Sequence, residues 1–203
     1  MNLQYLFSTV FDSLFPPSGD ALRVRNIFEK NSIQLYTPKY VDSIQTLSTY
    51  QNKNMQALIH EAKFQGNKNA WLVLNALLQR HLTEMHMSIE YIIPVPLSPA
   101  RMRARGYNQV LKILQAKPLD PKYTILTNVL VRTRNTRPQT ELARNERLTN
   151  MHDAFGVVHG ESITGKHILL VDDVTTTGTT LKAAKAALLP LSPASITCLA
   201  LSH

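Results

Sequence analysis

The sequence predicts an α/β protein built on a mostly parallel sheet flanked by helices. Three observations carry this. Apolar strand-like runs at 90–96, 167–173 and 195–202 alternate with stretches of helical periodicity near 52–65, 68–86 and 179–189, the βαβ rhythm of a parallel sheet covered on both faces. Hydrophobic residues are 44% and charged residues 18% of the chain, which argues against disorder along its length. The 203 residues allow one domain with an appendage or two small ones.

Taken in order, Leu3, Leu6, Phe7, Val10, Phe11 and Leu14 have helical spacing that Pro16-Pro17 ends. Residues 18–40 read as loop with a short helix at 22–29. They suggest a boundary near residue 50, with a small N-terminal region at 1–50 and the main domain at 51–203. A loosely alternating strand is expected at 41–49. Gln65-Gly66-Asn67 separates the next two helices, and Leu72, Leu74, Leu77 and Leu78 give the second its buried face. Glu90-Tyr91-Ile92-Ile93-Pro94-Val95-Pro96 reads as a buried strand whose prolines stop the ladder and stiffen the adjoining loop. A short helix near 107–116, a strand around 128–132, an exposed polar loop at 133–140 and a helix at 141–150 come next. The strand 167–173, the helix 179–189 and the strand 195–202 close the chain.

No run of 18 or more apolar residues occurs, so a membrane-spanning helix is not expected. No Lys or Arg precedes the apolar N-terminal stretch, so it lacks the cationic start of a signal peptide. A cytoplasmic protein without membrane insertion is the expectation. Cys198 is the single cysteine and sits in an apolar run. Internal disulfides and multi-cysteine zinc sites are excluded, and core filling is its expected role. The net charge of +8 is concentrated: residues 101–150 hold 11 basic and 3 acidic side chains, and the flanking parts nearly cancel. That pattern points to a local anion site or a nucleic-acid surface.

The most informative stretch is Ile168-Leu169-Leu170-Val171-Asp172-Asp173-Val174-Thr175-Thr176-Thr177-Gly178-Thr179-Thr180. An apolar strand runs into two carboxylates, then a loop of five Thr and one Gly, then a helix. A helix start presents unpaired N–H groups and about half a positive charge. A phosphate placed there is satisfied by backbone donors, and Thr hydroxyls add more. Gly178 lets the backbone approach the oxygens. Carboxylates repel phosphate but accept from sugar hydroxyls or hold hydrated Mg²⁺. Phosphate donors beside hydroxyl acceptors describe a ribose 5-phosphate site. A plain N-capped helix needs one such residue, not seven.

This stretch resembles the signature of the type I phosphoribosyltransferases. The resemblance implies phosphoribosyl pyrophosphate (PRPP) with Mg²⁺ at the strand ends. Asp172 and Asp173 would meet the ribose hydroxyls, and the loop Val174, Thr175, Thr176, Thr177, Gly178, Thr179 and Thr180 would enclose the 5-phosphate. Mg²⁺ would be held mainly through PRPP, near Asp172 and Asp173. Further segments are similar to the ComF competence branch: Ala62-Lys63-Phe64-Gln65-Gly66, Ile93-Pro94-Val95-Pro96-Leu97-Ser98, Arg105-Gly106-Tyr107-Asn108-Gln109, Arg132-Thr133-Arg134-Asn135-Thr136 and Pro138-Gln139-Thr140. Together they span about residues 55–203. ComF-like proteins commonly follow a Leu-Phe-Pro-Pro segment with a four-cysteine zinc ribbon. Here Leu14-Phe15-Pro16-Pro17 leads into Ser18-Gly19-Asp20 and no cysteine. His60, His81 and His86 are too scattered to replace the ribbon, so no zinc is expected, and the resemblance implies that residues 1–50 form a small N-terminal hood lacking the usual zinc ribbon.

PRPP gives the basic window a chemical purpose. Expulsion of pyrophosphate from the anomeric carbon needs cations where charge builds on the leaving group, and Arg pairs with two phosphate oxygens at once. Pro96, Leu97, Arg101, Arg103 and Arg105 come after a strand end and are expected on the pyrophosphate side, with Lys63 a further cation. Asp172, Asp173, Arg105 and Lys63 form the expected catalytic set. Arg132, Arg134, Arg137 and Gln139 lie where the wider family carries a mobile loop that closes over PRPP. The resemblance also implies a role in natural transformation with competence proteins and incoming single-stranded DNA. A PRPP- or nucleotide-sensing module without catalysis stays open. So does a single-strand binding track in which Tyr107, Tyr123 and Phe155 stack on bases.

Overall fold

The computed structural model describes residues 18–29, 35–133 and 154–203. The expected helices at 3–15 and 141–150, Leu14-Phe15-Pro16-Pro17, Arg134, Arg137 and Gln139 lie outside them.

The first helix, α1 (Gly19–Glu29), starts under Ser18, whose Oγ accepts from Ala21 N at 3.1 Å, and buries Val24 and Ile27 one turn apart. The strand expected at 41–49 is a hairpin of β1 (Lys39–Val41) and β2 (Ile44–Ser48). Asp42 and Ser43 both have positive φ, 48° and 63°, the two-residue turn whose twist suits a hairpin. Three helices open on asparagine caps that each accept from two backbone N–H groups. Asn52 caps α2 (Lys53–His60), Asn67 caps α3 (Lys68–Glu84) and Asn108 caps α5 (Gln109–Leu114).

Between β3 (Tyr91–Pro94) and α5 the chain forms a helix that sequence periodicity misses, α4 (Pro99–Arg105). It buries none of its residues, so no apolar stripe announces it. Ser98 caps it, Pro99 sits where a missing N–H costs nothing, and Gly106 ends it at φ 79°. Two short strands also escape sequence patterning, β4 (Thr124–Ile125) and β6 (Phe155–Val157); β6 pairs antiparallel with β5 (Leu130–Arg132). The last three elements, β7 (His167–Val174), α6 (Thr179–Leu188) and β8 (Ser195–Ser202), fall where expected.

The main sheet has the order β1-β2-β8-β7-β3-β4 and is parallel except for the β1–β2 edge. Side chains alternate across it. Leu169 and Val171 enter one core with helices α1, α2, α3 and α5, whereas Ile168 and Leu170 enter the other with α6, β5 and β6. Both faces are thus covered, as expected.

The sheet and one core run across the expected boundary at residue 50. β2 pairs in parallel with β8 through Ile44↔Cys198 and Ser48↔Ser202. Val24, Ile27, Leu35 and Leu47 share a core with Leu58, Leu74 and Leu78. His81 on α3 bridges Tyr36 (2.9 Å) and Gln45 (2.7 Å). Cys198 is buried, and burial pushes its thiol up to about 11, which suits packing rather than nucleophilic chemistry. No helix among the described residues is long and apolar enough to cross a membrane.

Candidate functional site

Strand β7 delivers Asp172 and Asp173 at its carboxyl end. Alternation sends the two carboxylates to opposite faces of the sheet. Asp173 continues the row of Leu169 and Val171 toward α2 and α5. Its Oδ2 meets Lys63 Nζ at 2.9 Å and accepts from Gln109 Nε2, and its Oδ1 accepts from Val174 N at 2.7 Å. Arg105 donates to Gln109 Oε1, so Arg105, Gln109, Asp173 and Lys63 form one chain of contacts. The motif Arg105-Gly106-Tyr107-Asn108-Gln109 therefore carries position as well as charge. Gln109 had no role assigned from sequence; its place beside Asp173 appears only in three dimensions.

Asp172 faces the other side. Its Oδ1 accepts from Asp173 N at 2.8 Å. Loss of solvent, and then the Asp173 charge, push its carboxyl up to about 7, against the pull of Lys63 and Arg132.

Lys63 reaches Asp173 because α2 does not end regularly. Residues Glu61–Gln65 form a π turn closed by Gly66 at φ 61°. π turns leave backbone groups displaced from the α ladder and are frequent at functional sites. Here the carbonyl of Ala62 accepts from Tyr107 Oη (3.0 Å) and from Trp71 Nε1 (3.2 Å). The same motif that supplies Arg105 and Gln109 thus also holds the turn that presents Lys63. Asn108 adds a tie from its Nδ2 to Val95 O at 2.9 Å.

The loop after β7 is pinned at its start, where Thr175 N donates to Ser202 O at 2.9 Å, and His203 Nε2 lies 3.2 Å from Thr176 O. Thr176 and Thr177 are exposed. Gly178 occupies the cap position of α6 at φ 72°, and among the described residues no side chain caps that helix. The simple N-cap explanation for the Thr residues therefore does not hold, and the first N–H groups of α6 remain available to an anion. A Cβ at Gly178 would lie 2.5 Å from Ile44 Cδ1 and 3.3 Å from Lys182 Cε. Gly178→Ala is expected to lower the melting temperature, since the left-handed conformation alone costs a side chain about 1–2 kcal/mol. A thermal melt checks this. An unchanged melt would mean that the loop relaxes without strain.

Arg101 and Arg105 sit one turn apart on α4 and line a cavity of about 490 Å³ with Lys63, Phe64 and Ala104. Arg103 is exposed and is not among the residues that line it. Pro96 and Leu97 are half-buried between β3 and α4. Arg132 ends strand β5, within the strand expected around 128–132. Its guanidinium lies over the Phe155 ring, 5.2 Å from the centroid. Burial and the Arg101 charge push it below its ordinary value while Asp172 pulls it up. Arg101, Arg132 and Asp172 therefore share one electrostatic field. Among the described residues no group of three or more His, Cys, Asp or Glu side chains is placed to hold a metal.

A strand-end acid pair, a glycine-capped helix start and flanking cations invite comparison with known proteins. A model of the phosphoribosyl transferase domain matches residues 75–202. This chain belongs to the phosphoribosyl transferase domain family. It is 38% identical over 93 residues to Competence protein F of Haemophilus influenzae, covering 45% of this chain and 41% of that protein. It is 31% identical over 143 residues to Competence protein ComFC of Streptococcus pneumoniae, covering 70% and 60%. A third relative, DNA utilization protein YhgH of Escherichia coli K12, is 31% identical over 134 residues, covering 62% and 57%. The chain thus spans about half the length of the curated relatives it matches, and the resemblance to the ComF branch is supported. Among solved structures, the allosteric regulatory enzyme of purine biosynthesis aligns over 71% of this chain and 30% of its own, at 15% identity and a TM-score of 0.42.

Proposed function

We propose that this protein binds PRPP at the end of β7 and works in natural transformation, transferring phosphoribosyl to an acceptor at or near incoming single-stranded DNA. The observation that carries the reading is the acid pair Asp172–Asp173 leading into a helix start whose cap is a glycine and makes no side-chain hydrogen bond. The 5-phosphate would meet the N–H groups of α6 and the Thr176, Thr177 and Thr179 hydroxyls. The ribose hydroxyls would donate to Asp172 and Asp173. Arg101 and Arg105, with Lys63, would face the pyrophosphate. Mg²⁺ bound to PRPP would neutralise part of the leaving group's charge. The competence and DNA-utilization names of the relatives support the cellular role.

Calorimetric titration with PRPP, with and without Mg²⁺, tests the binding. Saturable binding that strengthens with Mg²⁺ is expected, and no binding under either condition would sink the reading. Pyrophosphate release in the presence of nucleobases or DNA then tests transfer. Binding without release would reassign the domain as a sensor.

A further inference from the structure

The π turn at Glu61–Gln65 does two things at once. It turns Lys63 inward to Asp173 and leaves the next residue, Phe64, 61% exposed. A phenylalanine left in water forgoes about 1.5–3 kcal/mol of burial, so its placement beside a charged site calls for a reason. The ring is held in position. His60 lies against it with centroids 5.2 Å apart and planes tilted by 50°, and the Arg105 guanidinium sits 5.3 Å from its centroid.

Among the described residues, the cavity beside it is lined by one aromatic ring, three cations (Lys63, Arg101 and Arg105) and Ala104. Lys63 is paired with Asp173, so Arg101 and Arg105 are the lining cations that would meet a ligand's phosphates. Pyrophosphate alone would use the cations and leave the ring idle. A free base would use the ring and leave the cations idle. A ligand that satisfies both needs a planar unstacked face joined to a repeating negative charge. Single-stranded nucleic acid has this chemistry, and a duplex hides its base faces in the stack. The aromatic residues that sequence alone suggested for stacking are otherwise occupied. Tyr107 is tied to Ala62 O and packs edge-on to Trp71, Phe155 is buried beneath Arg132, and Tyr123 carries Lys122 over its ring.

We infer that Phe64 is a stacking platform for a base of single-stranded DNA, with the adjoining backbone phosphates on Arg101 and Arg105. This deepens the DNA part of the reading above and needs only that part of it; Arg101 and Arg105 would serve either the strand's phosphates or the pyrophosphate of PRPP, so the two ligands compete there.

Fluorescence anisotropy with labelled oligo(dT) tests it on the full chain. Phe64→Ala is expected to weaken binding roughly 5- to 150-fold, the range for one base–aromatic stack, with its salt dependence unchanged. Arg101→Ala should flatten that salt dependence by about one phosphate's worth. Phe64→Trp should restore affinity, and DNA should quench its emission above the Trp71 background. The melting temperature of Phe64→Ala should match the parent's, which separates a lost stack from a lost fold. Equal oligo(dT) affinity in the parent and Phe64→Ala overturns the inference, as does equal binding of a duplex or no binding at all. If PRPP fails to bind the parent while the Phe64 effect persists, the phosphoribosyl reading falls and the platform stands. If PRPP binds and Phe64 proves silent, the platform falls alone.

Discussion

Replacing Asp173 with alanine is expected to reduce PRPP affinity at least about 100-fold and to destabilise the ligand-free protein. The reason lies in what the carboxylate holds. It is 5% exposed and receives Lys63, Gln109 and the Val174 N–H. Removing one member of a buried ion pair strands the other, at about 3–5 kcal/mol. The lower end applies here because Lys63 keeps some contact with water. For the ligand, losing two charge-assisted hydrogen bonds at about 1.5–3 kcal/mol each accounts for the affinity change. Asp173→Asn preserves an acceptor for Gln109, so it should recover much of the stability and little of the binding. Chemical denaturation and PRPP calorimetry on the two variants separate these effects. If both variants bound PRPP like the parent, Asp173 would be a structural residue alone.

The second large effect concerns pH. An unfolded Asp titrates near 3.8, and in the fold Asp172 titrates at about 7. Between those values the folded protein keeps a proton that the unfolded chain has released. Its contribution to stability is therefore full below 3.8 and is lost as pH rises through about 7. Asp172→Asn should flatten the melting temperature over that window and exceed the parent above it. Histidines titrate in the same range, so the difference between variant and parent is the quantity to read. A ribose hydroxyl donates best to the ionised carboxylate. PRPP affinity should accordingly rise as pH passes about 7 and binding should release a proton, a dependence absent from Asp172→Asn. Calorimetry in buffers of different ionisation enthalpy measures that proton directly. No proton release and parallel melting curves would place Asp172 in its ordinary ionised state.

The central features of the fold are legible in one dimension because they are local. The run Ile168–Val174 is apolar beyond what a loop permits, and its termination in two acids, five threonines and a glycine is a local arrangement of donors and acceptors. The asparagine caps at 52, 67 and 108 act within three residues of themselves. The hairpin at 39–48 is half visible: its strand signal shows, but the Asp42-Ser43 turn does not. Helix α4 is invisible because it packs nothing into the core, and periodicity reports only buried faces.

The site divides in the same way. Sequence alone determined the Thr-Gly loop, the acid pair and the concentration of arginines, since each is a property of neighbouring residues. Only the tertiary structure decided that Asp172 and Asp173 face opposite sides of the sheet. It alone joined Lys63 to Asp173 across 110 positions, set Gln109 between Arg105 and that carboxylate, and turned Phe64 outward. These depend on a π turn whose displaced carbonyl is satisfied by Tyr107 and Trp71. A hydrogen bond between residues 45 positions apart leaves no local trace in the chain. It exists because packing brings its partners together and because a buried carbonyl without a donor would be costly.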